Sequence, residues 1–389
     1  MGTGSAERDA EEERRRRRRR LLVALNASPD LSRDAICRLA RRTDAWGEGS
    51  GARPRELSRE LGVSPGQLKA ARRVRRSAAR LARPELERAA GLGVAVLTLD
   101  DAAYPAELFD LELPPPVLYL RGRLPARPAV AIVGSRKADP YALEAATAFA
   151  RELAHAGLAI VSGLALGVDG AAHRGALEAD GGRTLAVQAC GADRVHPWRH
   201  TRLADRIAAT GAVLTEFPFD TPPYPSHFPI RNRIIAALAE GTLVVQAARR
   251  SGTLITARLA LELGREVWAI PGSIYRQRAV GANELLRDGA AMALEPRDVL
   301  ESLPLGVRDR LPSPGHGSTS RIRGAAPDGL PGEVLTLLER HTSLSPDRVA
   351  TATGKPIAEI LAALAELELV GLARRYPGPE YRVVDRASR

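Results

Sequence analysis

Val130-Ala131-Ile132-Val133-Gly134-Ser135-Arg136-Lys137-Ala138-Asp139-Pro140 joins an apolar run to the start of a helix. An apolar run stops at a glycine, Asp139 is placed to cap a helix, and Pro140 suits that helix's first turn. Leu143, Ala146, Phe149, Ala150 and Leu153 then form one apolar helical face, which Gly157 ends. Ala159–Val161 follows as a second apolar run, closed by Ser162-Gly163. Strand, amphipathic helix and strand in this order make a βαβ unit. The pattern continues, with helical stretches between Thr184–Ala189, Ala212–Thr215, Leu243–Gln246 and Val267–Ile270. Near-continuous apolar runs of this length suit parallel strands buried on both faces. The predicted fold is therefore α/β, a doubly wound, mostly parallel sheet with its ligand at the carboxyl ends of the strands.

Upstream, residues 21–93 read as a helical N-terminal domain. Leu31, Ile36 and Leu39 recur near helical spacing, the Arg-rich stretch Arg72 to Arg80 alternates with Ala, and Gly47 to Gly51 marks a break. A strand-like run, Val94 to Leu99, the Pro-rich passage Leu113 to Pro116, and Val117 to Leu120 lead into the α/β domain, assigned to 94–303. Residues 304–328 lose periodicity and fill with Pro, Gly, Ser and Arg, as in Leu311-Pro312-Ser313-Pro314-Gly315, which predicts a linker. Over 329–386, three helical patterns (near 331–340, 345–352 and 356–369) precede strand arms Leu372 to Tyr376 and Tyr381 to Val384 around Pro377-Gly378-Pro379. That order is a winged helix-turn-helix. Its presumed recognition helix carries Glu359, Glu366 and Glu368 with only Lys355 at its start, whereas the wing is basic through Arg374, Arg375 and Arg382. Protein contact or packing within the molecule and duplex binding are both open to such a module.

The 389 residues carry 57 Lys+Arg against 46 Asp+Glu, a formal charge of +11, with 44% hydrophobic and 26% charged residues. This is ordinary globular usage with a basic bias, which favours polyanionic partners. No apolar run approaches the ~18–20 residues that cross a bilayer. Cys37 and Cys190 cannot build a disulfide scaffold and no CxxC pair offers a zinc site, so the expected compartment is the reducing cytoplasm. Arg14 to Arg20 is an unbroken arginine run followed only by the short apolar block Leu21 to Leu25, too short for a signal peptide. Self-repulsion of that run predicts a disordered tail over residues 1–20.

Several chemistries are absent. After the first parallel strand Gly134-Ser135-Arg136-Lys137-Ala138-Asp139 has one glycine where a dinucleotide site needs G-x-G-x-x-G, and no G-x-x-x-x-G-K-[ST] run exists. Asp139, Asp169, Glu216 and Asp220 lie on separate loops rather than in a nuclease-like cluster, and His155, His173, His196 and His200 lack metal-site spacing. No metal, cofactor or catalytic residue is therefore expected.

Four loops that follow strands share another chemistry. Gly134-Ser135-Arg136-Lys137 offers open backbone, a hydroxyl and two cations; Ser162-Gly163-Leu164-Ala165-Leu166-Gly167 leads into a helix with small residues. Arg231-Asn232-Arg233 brackets an amide with cations, and Ser251-Gly252-Thr253 opens an apolar helix. Residues i and i+2 of a helix point about 200° apart, so at most one of Arg231 and Arg233 shares a face with Asn232, and the other is structural. Together the loops predict an electropositive rim for a phosphate-bearing ligand. Aromatic residues are only 4% of the chain, so phosphate contacts should dominate and sequence preference should be weak.

Val133-Gly134-Ser135-Arg136, Ser162-Gly163-Leu164-Ala165-x-Gly167-Val168-Asp169, Phe228-Pro229-x-Arg231-Asn232-Arg233-Ile234-Ile235 and Ser251-Gly252-Thr253-Leu254-Ile255-Thr256-Ala257 together resemble the DprA/Smf family of DNA-processing proteins of natural transformation. Tyr104-Pro105, Pro115-Pro116-Val117-Leu118-Tyr119, Gly264-Arg265-Glu266-Val267, Pro271-Gly272 and Gly281-x-Asn283-x-Leu285 extend the likeness in colinear order over about residues 96 to 300. The resemblance implies an extended Rossmann-like domain with a helical (SAM/HhH-like) N-terminal domain and a C-terminal winged helix. It further implies a homodimer that binds and protects single-stranded DNA and helps load the RecA recombinase, without enzymatic turnover. By motif position Gly134, Ser135, Arg136, Ser162, Gly163, Arg231, Asn232 and Ser251 inherit the DNA-binding role, and Lys137, Arg233, Gly252 and Thr253 of the same loops complete the expected set. Arg199 joins it as the basic residue just after Pro197, and Phe217 as a candidate base-stacking residue beside Glu216. Two departures stand out: Gln246 replaces the usual Glu before the Ser-Gly loop, and His196 replaces Tyr before Pro197. The rival readings are a nucleotide hydrolase of the LOG type, whose Pro-Gly-Gly-x-Gly-Thr-x-x-Glu run is absent, and a winged-helix regulator with a ligand-sensing α/β domain.

Overall fold

A computed structural model describes residues 3–46, 53–312, 329–340, 344–369, 372–376 and 380–383. The chain divides into two compact units, residues 1–313 and 314–389. In the first, five helices, α1 (Thr3–Asn26), α2 (Arg33–Arg41), α3 (Pro54–Leu61), α4 (Pro65–Arg76) and α5 (Ala78–Gly91), precede the sheet. Its strands are β1 (Ala95–Thr98), β2 (Val117–Gly122), β3 (Ala129–Val133), β4 (Ala159–Ser162), β5 (Arg183–Val187), β6 (Ala212–Thr215), β7 (Gly241–Val244), β8 (Glu266–Ala269) and β9 (Ala291–Met292). The order is β1-β2-β6-β5-β4-β3-β7-β8-β9. β3 to β9 pair in parallel, and β2 and β1 add an antiparallel edge through the register Tyr119↔Thr215 and Val96↔Tyr119.

Alternation along β3 explains the double winding. Val130 and Ile132 enter one apolar layer, with Phe149 of α6 (Pro140–His155) and Ala172 of α7 (Val168–Glu178). Ala131 and Val133 enter the opposite layer, with Ile234 of α9 (His227–Ala237) and Ala257 of α10 (Gly252–Glu262). α8 (Thr201–Thr210) lies between α7 and α9 in the chain, and α11 (Val280–Arg287), α12 (Pro296–Ser302) and α13 (Leu305–Arg308) follow β8. As expected, Asp139 caps α6, its Oδ1 accepting the Ala142 N–H at 3.0 Å, and Gly157 turns the chain at φ +98°. β2 presents Leu118 and Leu120 to the main core and Val117 and Tyr119 to the helical region, where they meet Leu22, Leu25, Ile36, Trp46 and Phe219.

The arginine run departs from expectation. It belongs to α1 rather than to a disordered tail. Glu11, Glu12 and Glu13 pair at i,i+4 with Arg15, Arg16 and Arg17, the favourable orientation with the acid N-terminal. Arg18 bonds Asp100 at 2.6 Å and Thr43 at 2.7 Å, Arg19 donates to the Val96 carbonyl at 2.8 Å, and Leu21 to Leu25 are buried. Arg15 to Arg19 are thus partnered by their neighbours, and the block after the run anchors it. The expected linker also starts late: Leu303 and Val307 are buried, and Leu311 packs against the same layer as Phe149. Its remainder, 313–328, lies outside the described residues, as do the Gly47 to Gly51 break and the Pro377-Gly378-Pro379 turn. Among the described residues no helix is long and apolar enough to cross a membrane.

In the second unit α14 (Leu330–Arg340), α15 (Pro346–Thr353) and α16 (Ile357–Leu369) precede the hairpin β10 (Ala373–Tyr376) and β11 (Glu380–Val383). Val334, Leu338, Val349, Ile360, Leu364, Leu367 and Tyr381 form their own core. This is the three-helix and wing layout of a winged helix.

Candidate nucleic-acid interface

The loop leaving β3 is held by close backbone packing. A Cβ on Gly134 would lie 2.6 Å from Val168 Cγ2, and one on Gly167, at φ +78°, would lie 2.2 Å from the Ser135 carbonyl oxygen. Ser135 N–H donates to the Gln246 carbonyl at 2.8 Å, and Ser135 Oγ accepts the Lys137 N–H at 3.1 Å. The loop is therefore fixed by its main chain, and Arg136 and Lys137 are exposed. The Arg136 guanidinium lies 4.3 Å from the centroid of the half-buried Phe228 ring, a cation–π pair. His196 meets the same ring edge-on at 5.9 Å. Beyond it, Trp198 is 76% exposed beside the exposed Arg199, whose guanidinium lies 5.8 Å from the indole. A small cleft of about 70 Å³ opens between Arg136, Gly163, Ala189, His196 and Phe228.

Other residues expected at the rim turn inward. Arg231 is only 4% exposed; its Nη1 donates to the carbonyls of Gly163 (2.6 Å) and Val187, and its Nε to Asn232 Oδ1 at 3.1 Å. Burial lowers its pKa to about 10, opposed by the nearby Asp169 carboxylate. It ties α9 to the ends of β4 and β5. A Cβ on Gly163 would sit 2.5 Å from that guanidinium, so glycine at this position makes room for Arg231. Arg233 is committed too, to buried Glu216 at 2.6 Å and the Leu113 carbonyl at 2.9 Å. Both arginines are braces, where one was expected to face the ligand. The reason is that buried carbonyls and a buried carboxylate wait on both sides of α9.

Ser162 is fully buried and donates to the Ile132 carbonyl at 2.7 Å. Phe217 is a core residue, 1% exposed and stacked on His227 at 4.1 Å, so it offers no face to a base. Ser251 caps α10 by accepting the Thr253 N–H at 3.2 Å, and Thr253 is buried. Asn232, half-buried, donates to the Gly252 carbonyl at 3.4 Å, joining the middle of α9 to the start of α10. Gly252 faces open space. Of the expected set, the structure brings Gly134, Ser135, Arg136, Lys137 and Gly163 together, adds exposed Arg199, and turns Ser162, Phe217, Arg231, Arg233, Ser251 and Thr253 to internal tasks. Phe228, His196 and Trp198 complete the surface. Their signal was present in the Phe228-Pro229 block and the His196-Pro197-Trp198-Arg199 run, but spacing does not reveal which aromatic face meets solvent.

The departure at Gln246 has a partner. Its Nε2 donates to Asp139 Oδ2 at 2.8 Å, and its Oε1 accepts the Asp139 N–H at 3.4 Å. Asp139 is held below the usual carboxylate range, first by the Ala142 N–H and further by Gln246, Arg276 and Arg278. The buried histidines serve packing: His173 Nδ1 pairs with Thr184 Oγ1 at 2.7 Å, and His200 Nδ1 with the Leu164 carbonyl at 2.9 Å. No group of three or more His, Cys, Asp or Glu side chains among the described residues is arranged to hold a metal ion.

Residues 95–304 match the family model described as DNA recombination-mediator protein A, and residues 323–379 match that of the DprA winged helix domain. Protein Smf of Escherichia coli (strain K12) is 38% identical over 291 residues, 74% of this chain and 77% of that protein. DNA processing protein DprA of Streptococcus pneumoniae is 42% identical over 204 residues, 52% of this chain and 71% of that protein. The X-ray structure of DNA processing protein A from Streptococcus pneumoniae superposes with a TM-score of 0.61 at 31% identity, covering 72% of this chain and 96% of that one.

Proposed function

This chain belongs to the DNA recombination-mediator protein A (DprA/Smf) family of DNA-processing proteins, and from that membership we propose that it binds single-stranded DNA along the strand-end rim. It acts as a recombination mediator that protects the strand and helps load RecA. It works by binding rather than turnover, as a homodimer, in the cytoplasm, where the buried thiols of Cys37 and Cys190 stay reduced.

The observation that carries this reading is the exposed Arg136 guanidinium lying 4.3 Å over Phe228, beside Lys137 and the small cleft. A cation for the phosphate held against a half-exposed aromatic ring, which adds apolar surface for the base, is the pairing that holds single strands without sequence readout. Arg199 and Trp198 repeat it just beyond His196, which meets the Phe228 ring. In a duplex the base faces are hidden by stacking, so such a surface favours the single strand. The exposed Glu359 and Glu366 of α16 repel phosphate, so the winged helix is assigned to contact with protein.

The test is fluorescence anisotropy with a labelled oligo-dT and a matched duplex at two salt concentrations, using wild type and Arg136→Ala/Arg199→Ala. The expected result is tight, salt-sensitive binding of the single strand, weakened in the variant, with the salt slope reduced by about 0.7 per lost phosphate contact. Equal binding of both DNA forms, unaffected by the substitutions, would overturn the reading.

A further inference from the structure

The sheet order places β3 between β4 and β7. The chain passes from β3 to β4 on one side and returns after β6 to β7 on the other, so the carboxyl ends of β3 and β7 flank a topological switch point, where doubly wound sheets open a crevice. A cleft of about 530 Å³ lies there, lined by Asp139, Tyr141, Gln246, Pro271, Ser273 and Arg276. It shares no lining residue with the Arg136–Phe228 cleft; the β3–α6 loop gives Arg136 to one and Asp139 to the other. The volume falls within the range of small-ligand sites.

Its chemistry is divided. Asp139 and Gln246 supply acceptors: Asp139 uses its two oxygens on the Ala142 N–H and the Gln246 amide, and each oxygen keeps a further lone pair. Gln246 Oε1 takes only the long 3.4 Å bond. Tyr141, 56% exposed, presents a ring beside Pro271. Arg276 is exposed and acts electrostatically on Asp139. Gln246 is neutral, so the acceptor floor holds the single negative charge of Asp139, beside the exposed Arg276. We propose that this cleft binds a nucleotide whose base carries an exocyclic amino group. The amino group donates to Asp139 and Gln246, the ring lies against Tyr141, and the phosphate meets Arg276. A thymine or uracil would turn its keto oxygen toward the carboxylate and bind more weakly. The nucleotide is either free or one unit of the bound strand; the second source rests on the proposed single-strand function.

The test titrates the full chain with dAMP and dTMP, followed by saturation-transfer NMR and calorimetry, with Arg276→Ala and Tyr141→Ala beside wild type. Both replaced residues are exposed, and thermal melting checks that the variants fold. Wild type should bind dAMP in preference to dTMP, and Arg276→Ala should weaken dAMP about tenfold, the loss of one charge-assisted bond. Displacement of dAMP by oligo-dA identifies the ligand as a unit of the strand; retention of dAMP while oligo-dA binds identifies a free nucleotide. Arg136→Ala separates this proposal from the one above, since it should weaken oligo-dA and leave dAMP unchanged. Absence of dAMP binding to wild type, or binding that neither cleft substitution alters, would overturn the assignment even if single-strand binding at Arg136 holds.

Discussion

Arg231→Ala should act on the fold rather than on the DNA. The guanidinium bonds the buried carbonyls of Gly163 and Val187 and sits near the buried Asp169. Hydrogen bonds from a charged donor contribute about 1.5–3 kcal/mol each, and removing one partner from a buried charged cluster costs about 3–5 kcal/mol. We take about 3–5 kcal/mol, since the truncation strands both carbonyls, deprives Asp169 of its opposing charge and leaves a void. At about 2–3 °C per kcal/mol for a domain of this size, the thermal midpoint should fall by about 6–15 °C. The assay is circular-dichroism melting of Arg231→Ala, Arg136→Ala and wild type, with oligo-dT anisotropy measured well below each midpoint. Arg231→Ala should melt early yet keep most of the single-strand affinity and the salt slope; Arg136→Ala should do the reverse. An Arg231→Ala protein that melts like wild type but loses DNA would instead place Arg231 on the rim.

Phe228→Ala should weaken oligo-dT binding by about 1–3 kcal/mol, the worth of one base–aromatic stack, with little change in melting. Phe217→Ala should instead cost about 3–5 kcal/mol of stability, because that ring is core; anisotropy and melting on the same pair of proteins check both. Burial lowers the pKa of His173 to about 3 from an ordinary 6.5, so the neutral ring is favoured in the fold. The stability it gives is complete above pH 6.5 and declines toward pH 3, by about 1.4 kcal/mol per pH unit. Urea unfolding across that window should lose this dependence in His173→Gln. Gln246→Glu would set a second carboxylate against Asp139 and raise the pKa of the pair, costing about 1–3 kcal/mol at pH 8. That deficit should shrink as the pH falls to 5, and melting at both pH values reads it.

The strand–helix–strand core was legible because β3, β4 and α6 are buried on faces that periodicity alone defines. Asp139 and Gly157 marked the ends of α6 by local chemistry, so no distant partner was needed to read them. The rim was half legible. Gly134 and Arg136 follow a strand directly, and a cation after a tight turn has few places to go but solvent. Arg231 and Arg233 carry the same chemistry on a helix, and their fate is set by the carbonyls of Gly163, Val187 and Leu113 and by Glu216, which sequence spacing does not bring near. Phe217 and Phe228 look alike in the chain; only packing shows that Phe217 is buried against His227 while Phe228 stays half-exposed beside Arg136. The arginine run is helical for a related reason. Its repulsion is local, but its neutralisation comes from Glu11 to Glu13 one turn away and from Asp100, remote in sequence.

Crosslinking can locate the strand on the protein. Photo-crosslinking an oligo-dT carrying 5-iododeoxyuridine, with the adducts mapped by mass spectrometry, reports which aromatic side chains touch bases. Adducts on Phe228 and Trp198, reduced by Arg136→Ala, are the predicted result. Adducts confined to the arginine run of α1 or to the winged helix, with Phe228 and Trp198 unmodified, would contradict it.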